Sequence, residues 1–366
     1  MSDLLHVSTR KGLFTVARGA AGWRIGSIDF LGDNVSLTHL DPRDGRLYAA
    51  LDHGHFGVKM HRRTGDRWEE LPAPAYPAPP EGETEKDMWG RTLEWKTARI
   101  WALQSGGADQ PGLLWCGTLP GGLFTSADHG ESWEMVRALW DHPKRKYWMG
   151  GGADLPGIHS ILIDPRDANT VCVGVSTGGL WITRDGGATW HEHGQGMRAE
   201  YVPPELTHEP VAQDVHCAVQ CPAAPERVWV QHHNGIFISD DGGAHFREIT
   251  DVQPSTFGFP VAVHPTDPET AWFVPAQKDE FRYAKDGKVV VSRTRDGGKT
   301  FETLTEGLPQ ENAFDLVYRH ALALDETGDR LAFGSTTGNL WVSEDQGDHW
   351  SCISNTLPPI HAVRFG

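Results

Sequence analysis

The sequence predicts an all-β protein, a seven-bladed β-propeller of four-stranded blades, and three observations carry that expectation. A turn pattern, S/T-x-D-x-G-x-x-W/F, recurs five times, ending at Trp133, Trp190, Phe246, Phe301 and Trp350. Short β-rich runs separate the copies in the same order each time, as in a fold that stacks one supersecondary unit. The composition (Gly 42, Pro 24, Trp 15 in 366 residues) describes many short strands, tight turns and large aromatic anchors.

The blades follow in order. "LLHVSTRKGLFTV" and "GWRIGSI" supply three strands of the first. "LDPRDGRLYAAL" to "GDRWEEL" makes the second, and "ARIWALQS" to "ESWEMV" the third. The fourth is the clearest, with "IHSILIDP", "TVCVGVST", "GGLWITRD" and "TWHEH" as its four strands. "VHCAVQCP" to "AHFREI", "VAVHPTDP" to "KTFETL" and "HALALDET" to "DHWSCI" give the fifth, sixth and seventh. The last residues, "IHAVRFG", read as the inner strand missing from the first blade; pairing there closes the propeller and removes a free sheet edge. One domain over 1–366 then has about 40 to 45 residues per blade plus insertions.

The turn pattern has a physical reading. Ser or Thr and the Asp two residues later offer acceptors to nearby backbone N–H groups, Gly tolerates positive φ, and the aromatic packs the returning strand onto its blade. On these residues the chain resembles the BNR, or Asp-box, repeat propellers: sialidases, sortilin-type receptors and photosystem II assembly-factor-like proteins. That resemblance implies architecture; its members include enzymes and pure binding proteins, so chemistry has to be found elsewhere.

Three insertions, about 72–97, 138–157 and 194–214, precede the inner strands of blades three, four and five. Loops this long are commonly functional, and these are rich in aromatic and charged residues, Trp89, Trp95, Trp140, Lys144, Trp148 and Tyr201 among them, as suits a lid over one face. Superposing the inner strands puts His159, His216, His320 and His361 at one position, occupied elsewhere by Ser36, Arg99 and Phe259. Converging neutral imidazoles would hold Fe, Mn, Cu or Zn at the mouth of a central channel, with Glu94, Glu205, Glu209, Asp154, Asp214 and Asp315 as supporting acids. The same register would arise from structural histidines bonded within the fold, or from a metal-free acid/base cluster. Turns between second and third strands add Arg10, Lys11, His53, His55, His232, His233 and Lys278 to Lys285 as candidates.

The formal net charge of −16 argues against a nucleic-acid or anionic-membrane surface. The N-terminus has no apolar leader and no segment reaches the length of a membrane span, so a cytoplasmic, soluble protein is expected. Five cysteines without metal-type spacing read as buried thiols, with Cys217 and Cys221 as the alternative reactive pair. The histidine register favours a metal-dependent enzyme acting on a small organic substrate, whether by oxidase or oxygenase chemistry or by metal-assisted hydrolysis or elimination. The sialidase resemblance implies instead a glycoside hydrolase, with carboxylates available from Glu94 with Glu205 or Glu209 and Arg99 as the nearest match to an arginine signature, while His55 in the turn "DHGH" reads as a fifth metal ligand or a proton shuttle. A non-catalytic binding or assembly propeller is the third reading, and the oligomeric state is open.

Overall fold

The computed structural model describes residues 1–366 apart from 80, 82–85, 87–89, 91, 93 and 152–153; Trp89 therefore lies outside the described residues. Every strand run read from the sequence folds as an antiparallel sheet, and the seven sheets make a seven-bladed β-propeller. In the first sheet the chain's last strand, Ile360–Phe365, pairs with Leu4–Thr9, followed by Gly12–Gly19 and Gly22–Asp29. The edge that Leu4–Thr9 would expose is thereby covered by the C-terminus.

Two compact units emerge, one of Met1–Thr38 with His216–Gly366, the other of His39–Val215. The first holds the N-terminal blade and blades five to seven. Its main core gathers Trp272, Phe333, Trp341 and Trp350, and a second core is centred on Trp229 and Phe273. The second unit holds blades three and four and most of blade two, with a core of Trp115, Trp148, Trp181 and Trp190. In both units the middle strands are covered on both faces and read as unbroken apolar runs: Gly179–Thr183 and Gly235–Ser239 are buried throughout. The outermost strand Gly22–Asp29 faces water for most of its length and carries the polar residues.

The recurring turn is scaffold in all five copies. In the fourth blade Thr183 Oγ1 donates to Asp185 Oδ1 (2.7 Å) and accepts from Gly187 N (2.9 Å), while Asp185 accepts from Thr189 N (2.9 Å) and Thr189 Oγ1 (2.6 Å). The set recurs at Ser126/Asp128, Ser239/Asp241, Thr294/Asp296 and Ser343/Asp345. Hydroxyls of Ser132, Thr189 and Thr300 are the main cause that pulls Asp128, Asp185 and Asp296 down to about 2, so these carboxylates are committed acceptors. The closing aromatics then lock the strands: Trp190 meets Trp115 edge-on at 6.5 Å and Trp350 meets Phe333 at 4.8 Å.

The enlarged turn in blade six is a small hairpin of its own. Phe281–Ala284 pairs with Ala271–Lys278 outside the four-strand path and runs into a 3-10 turn at Lys285–Gly287. The insertions before blades three and four pack on each other through Tyr76, Trp95 and Trp140, with ring separations of 5.1 Å (Tyr76–Trp140) and 5.3 Å (Trp95–Trp140).

Candidate functional site

Where the inner strands begin, the register slips. In blade four Ile158 faces Val175 and Ser160 faces Gly174, which leaves His159 as the extra residue of a β-bulge. In blade three Ile100 faces Thr118 and Ala102 faces Gly117, so the bulged residue is Trp101. His361 takes the same place in the N-terminal blade, between Ile360 opposite Thr9 and Ala362 opposite Ser8. A bulge re-aims one side chain at the end of a strand. The position that the sequence assigned to Arg99 therefore belongs to Trp101: alignment by spacing does not see an inserted residue.

Each predicted histidine has defined surroundings. His159 is buried; its Nε2 donates to the Val215 carbonyl (2.7 Å), and Nδ1 meets Ser160 Oγ (2.9 Å). His216, also buried, donates from Nδ1 to the Gly258 carbonyl (2.7 Å), and His361 Nε2 meets Asn34 Oδ1 (2.9 Å). Each of these links runs from the start of one inner strand to the start of the next blade's. His320 lies two residues ahead of Leu322–Leu324, and its carbonyl accepts from Val363 N (2.9 Å) and Arg364 Nη1 (3.2 Å). Among the described residues, His216, His320 and His361 do not gather their donor atoms within 4.8 Å as a set.

Two of the supporting acids hold turns. Asp315 accepts from Ser335 Oγ (2.5 Å) and Asn339 Nδ2 (2.7 Å), and Asp214 accepts from Ser176 Oγ (3.0 Å). Turns lacking an aspartate of their own thus receive one from a loop ahead of an inner strand. Glu94, Glu205 and Glu209 are exposed. Arg99 pairs with Asp52 (3.0 Å), whose other oxygen accepts from Gly54 N (3.1 Å) and so fixes the turn bearing His53 and His55. His55 is exposed and lies against Phe56, ring centroids 3.9 Å apart. Hydrogen bonds hold the carboxyls of Asp128, Asp185 and Asp296 below their ordinary range, the opposite of what a general acid in glycoside hydrolysis requires, so these turn aspartates are not candidates for that role.

Two side-chain groupings stand out, one in each unit. In the second unit the half-buried Trp101 is edge-on to His159 at 5.6 Å, on the strand that also carries the Arg99–Asp52 pair. A Cβ on Gly157 would lie 2.3 Å from the Trp101 ring, so this glycine is what lets the indole lie over the strand. In the first unit His216 is stacked on Phe259 (4.5 Å, 14°), with Phe257 at 5.7 Å and His233 at 5.5 Å, both edge-on. Tyr318 closes on Phe259 at 5.4 Å, the Arg319 and Arg282 guanidiniums lie 5.9 Å and 5.6 Å from the same ring, and Arg319 Nε donates to the His216 carbonyl (2.6 Å).

The approach of His233 to His216 was not read from the sequence, although both residues were singled out. The signal was available: the first strand's start and the turn between second and third strands lie at one end of a blade. His232 beside it has a local role, accepting from Asn234 N (3.0 Å) within its own turn.

Comparison with known proteins places this geometry among propellers. No family model matches the chain. The oligoxyloglucan-reducing end-specific xyloglucanase of Emericella nidulans is 24% identical over 281 residues, which is 69% of this chain and 32% of that enzyme. Among solved structures, the GH74 xyloglucanase from Xanthomonas campestris superposes with a TM-score of 0.65 at 16% identity, covering 97% of this chain and 53% of that one. YCF48 from Cyanidioschyzon merolae superposes at 0.55 with 14% identity and 94% of both chains covered; a YCF48 structure bound to D1 peptide gives 0.50 at 16% identity, covering 87% of this chain and 81% of that one. These likenesses establish the fold. The chain spans 32% of the length of the curated relative it matches.

Proposed function

We propose that the chain is an oligosaccharide-processing propeller of glycoside-hydrolase type, and that the strand start bearing Trp101 receives the sugar. The observation that carries the reading is the bulge that turns Trp101 out of the blade-three register and sets it, half-buried, against His159. A half-exposed indole face suits the apolar C–H face of a pyranose, while the nearby Arg99–Asp52 pair offers charge-assisted partners to hydroxyls. The names of the xyloglucanase relatives supply the substrate class, a neutral oligosaccharide. Glu94, Glu205 and Glu209 are the carboxylates proposed for acid/base work, and their exposure means that bound sugar would have to desolvate them before one could act as an acid. These relatives lend no support to a metal-dependent reaction, and a metal has no step in this proposal.

The test measures intrinsic tryptophan fluorescence and released reducing ends against xyloglucan oligosaccharides and other neutral glucans. Saturable binding is expected, weakened about three- to tenfold by Trp101→Ala, the equivalent of roughly 0.5–1.5 kcal/mol of aromatic contact. If the sugars are cleaved, Glu→Gln changes at 94, 205 and 209 identify the acid. Absence of binding to every glucan at millimolar concentration would defeat the proposal.

A peptide-binding platform is the second reading, favoured by Phe281 (55% exposed) and Phe314 (66% exposed). Lys278, Arg282 and Lys285 flank Phe281 in the same hairpin. Reproducible recovery of one acidic, aromatic peptide from a display library, lost in Phe281→Ser, would support it; sugar binding without any such peptide would exclude it.

A further inference from the structure

We propose that His216 and His233 form a binding site for a divalent transition-metal ion, of the imidazole-preferring class that includes Zn²⁺, Co²⁺, Ni²⁺ and Cu²⁺. This does not depend on the saccharide reading and uses different residues. A nitrogen of His233 lies within 4.8 Å of one on His216. Two metal–nitrogen bonds of about 2.1 Å span up to about 4.2 Å, so a small ring rotation brings both onto one ion.

Three features prepare the pair. The His216 Nδ1 bond to the Gly258 carbonyl (2.7 Å) requires the proton on Nδ1, which places the lone pair on Nε2 in the tautomer a metal needs. The ring is then held flat by the Phe259 stack at 4.5 Å and by Phe257 at 5.7 Å, so little rotamer freedom remains to be lost on binding. Behind His233 stands Asp279, with its Oδ2 3.9 Å from Nε2 and itself fixed by Arg282 (2.6 Å). A carboxylate at that distance adds a favourable negative charge beside a bound cation.

This assignment differs from the four-histidine ring expected from the sequence, because it draws both ligands from one blade and gives His159 and His361 no part. That difference makes it testable. Tag-free, chelator-treated full-length protein is titrated with Co²⁺, followed by visible d–d absorption and by elemental analysis, with Zn²⁺ as competitor. One ion per chain is expected, displaced by Zn²⁺, with affinity reduced at least tenfold by His233→Gln and unchanged by His159→Asn and His361→Asn. His233 is half-buried in a turn, so H233Q is the deciding variant even if His216→Asn, which loses the Gly258 bond, fails to fold; circular dichroism checks that H233Q is folded. Absence of Co²⁺ uptake, uptake unaffected by H233Q, or uptake abolished by His159→Asn or His361→Asn would each overturn the assignment.

Discussion

Arg43 gives the sharpest test of how the second unit is held together. Its guanidinium donates to Asp41 through Nε (2.8 Å) and Nη2 (2.6 Å), and to the carbonyls of Gln110 (2.6 Å) and Leu113 (2.8 Å) from the third blade. The Asp41 side chain is 0% exposed and that of Arg43 is 14% exposed. Arg43→Met keeps much of the aliphatic stem but strands the buried carboxylate and two carbonyls. Removing one partner of a buried pair costs about 3–5 kcal/mol, whereas the pair replaced as a whole is often nearly neutral. For a chain of this size that corresponds to a melting temperature lower by about 6–10 °C, at about 2 °C per kcal/mol. The double variant Asp41→Asn/Arg43→Met should recover at least 1 kcal/mol of the loss, since the uncompensated charge is gone.

The pH dependence gives an independent check on the same pair. Burial pushes the Asp41 carboxyl up, but the Arg43 hydrogen bonds and charge outweigh it and hold the group below its ordinary 3.8. A depressed carboxyl stabilises fully above its unfolded pKa and ceases to do so as pH falls through the folded value. The gap between wild type and Arg43→Met should therefore be constant at neutral pH and narrow on acidification, first as the stranded Asp41 of the variant, on which burial now acts without the guanidinium, takes up its proton, and further below about pH 3.8 as the wild type loses its own share. Thermal and urea unfolding followed by circular dichroism measure both effects. A variant within 1 kcal/mol of wild type, or a gap that widens on acidification, would refute the reasoning.

The remaining expectations concern packing and thiol access. Gly157→Ala places a methyl 2.3 Å from the Trp101 ring and 2.4 Å from Leu119, so it should cost about 1–3 kcal/mol in unfolding and also weaken sugar binding by turning the indole; unchanged binding would detach Trp101 from the sugar. Cys352 is the exposed cysteine, and Cys116, Cys172, Cys217 and Cys221 are buried, with burial pushing Cys172 up to about 12. Alkylation followed by mass spectrometry should add one label to the native chain and five after denaturation, and a second rapid label on the native protein would show that a buried thiol is accessible.

Much of the scaffold was legible because the turn pattern records its own geometry. Ser or Thr, Asp, Gly and an aromatic are all required by local hydrogen bonds, positive φ and packing within nine residues, so the bonds at Thr183, Asp185, Gly187 and Thr189 could be expected from spelling alone. The return of Ile360–Phe365 to Leu4–Thr9 was legible for a similar reason, a blade lacking a strand and a strand lacking a blade. Candidate chemistry was less so. The strand starts were found, yet their bulges were not, and this moved the blade-three position from Arg99 to Trp101. Asp214 and Asp315 were recognised as acids near those starts, but that they accept from Ser176 and Ser335 depends on how loops fold back over turns.

By itself, the sequence determined the all-β class, the number of blades, the closing strand and the scaffold role of the repeated aspartates, because each follows from interactions among residues close in the chain or from a pattern repeated many times. Tertiary structure decided which side chains meet: Trp101 with His159, His216 with His233, Arg99 with Asp52. Those meetings depend on a one-residue slip in register and on the packing of rings from separate strands and turns, where a single inserted residue turns a side chain to another face without leaving a mark in the hydrophobic pattern.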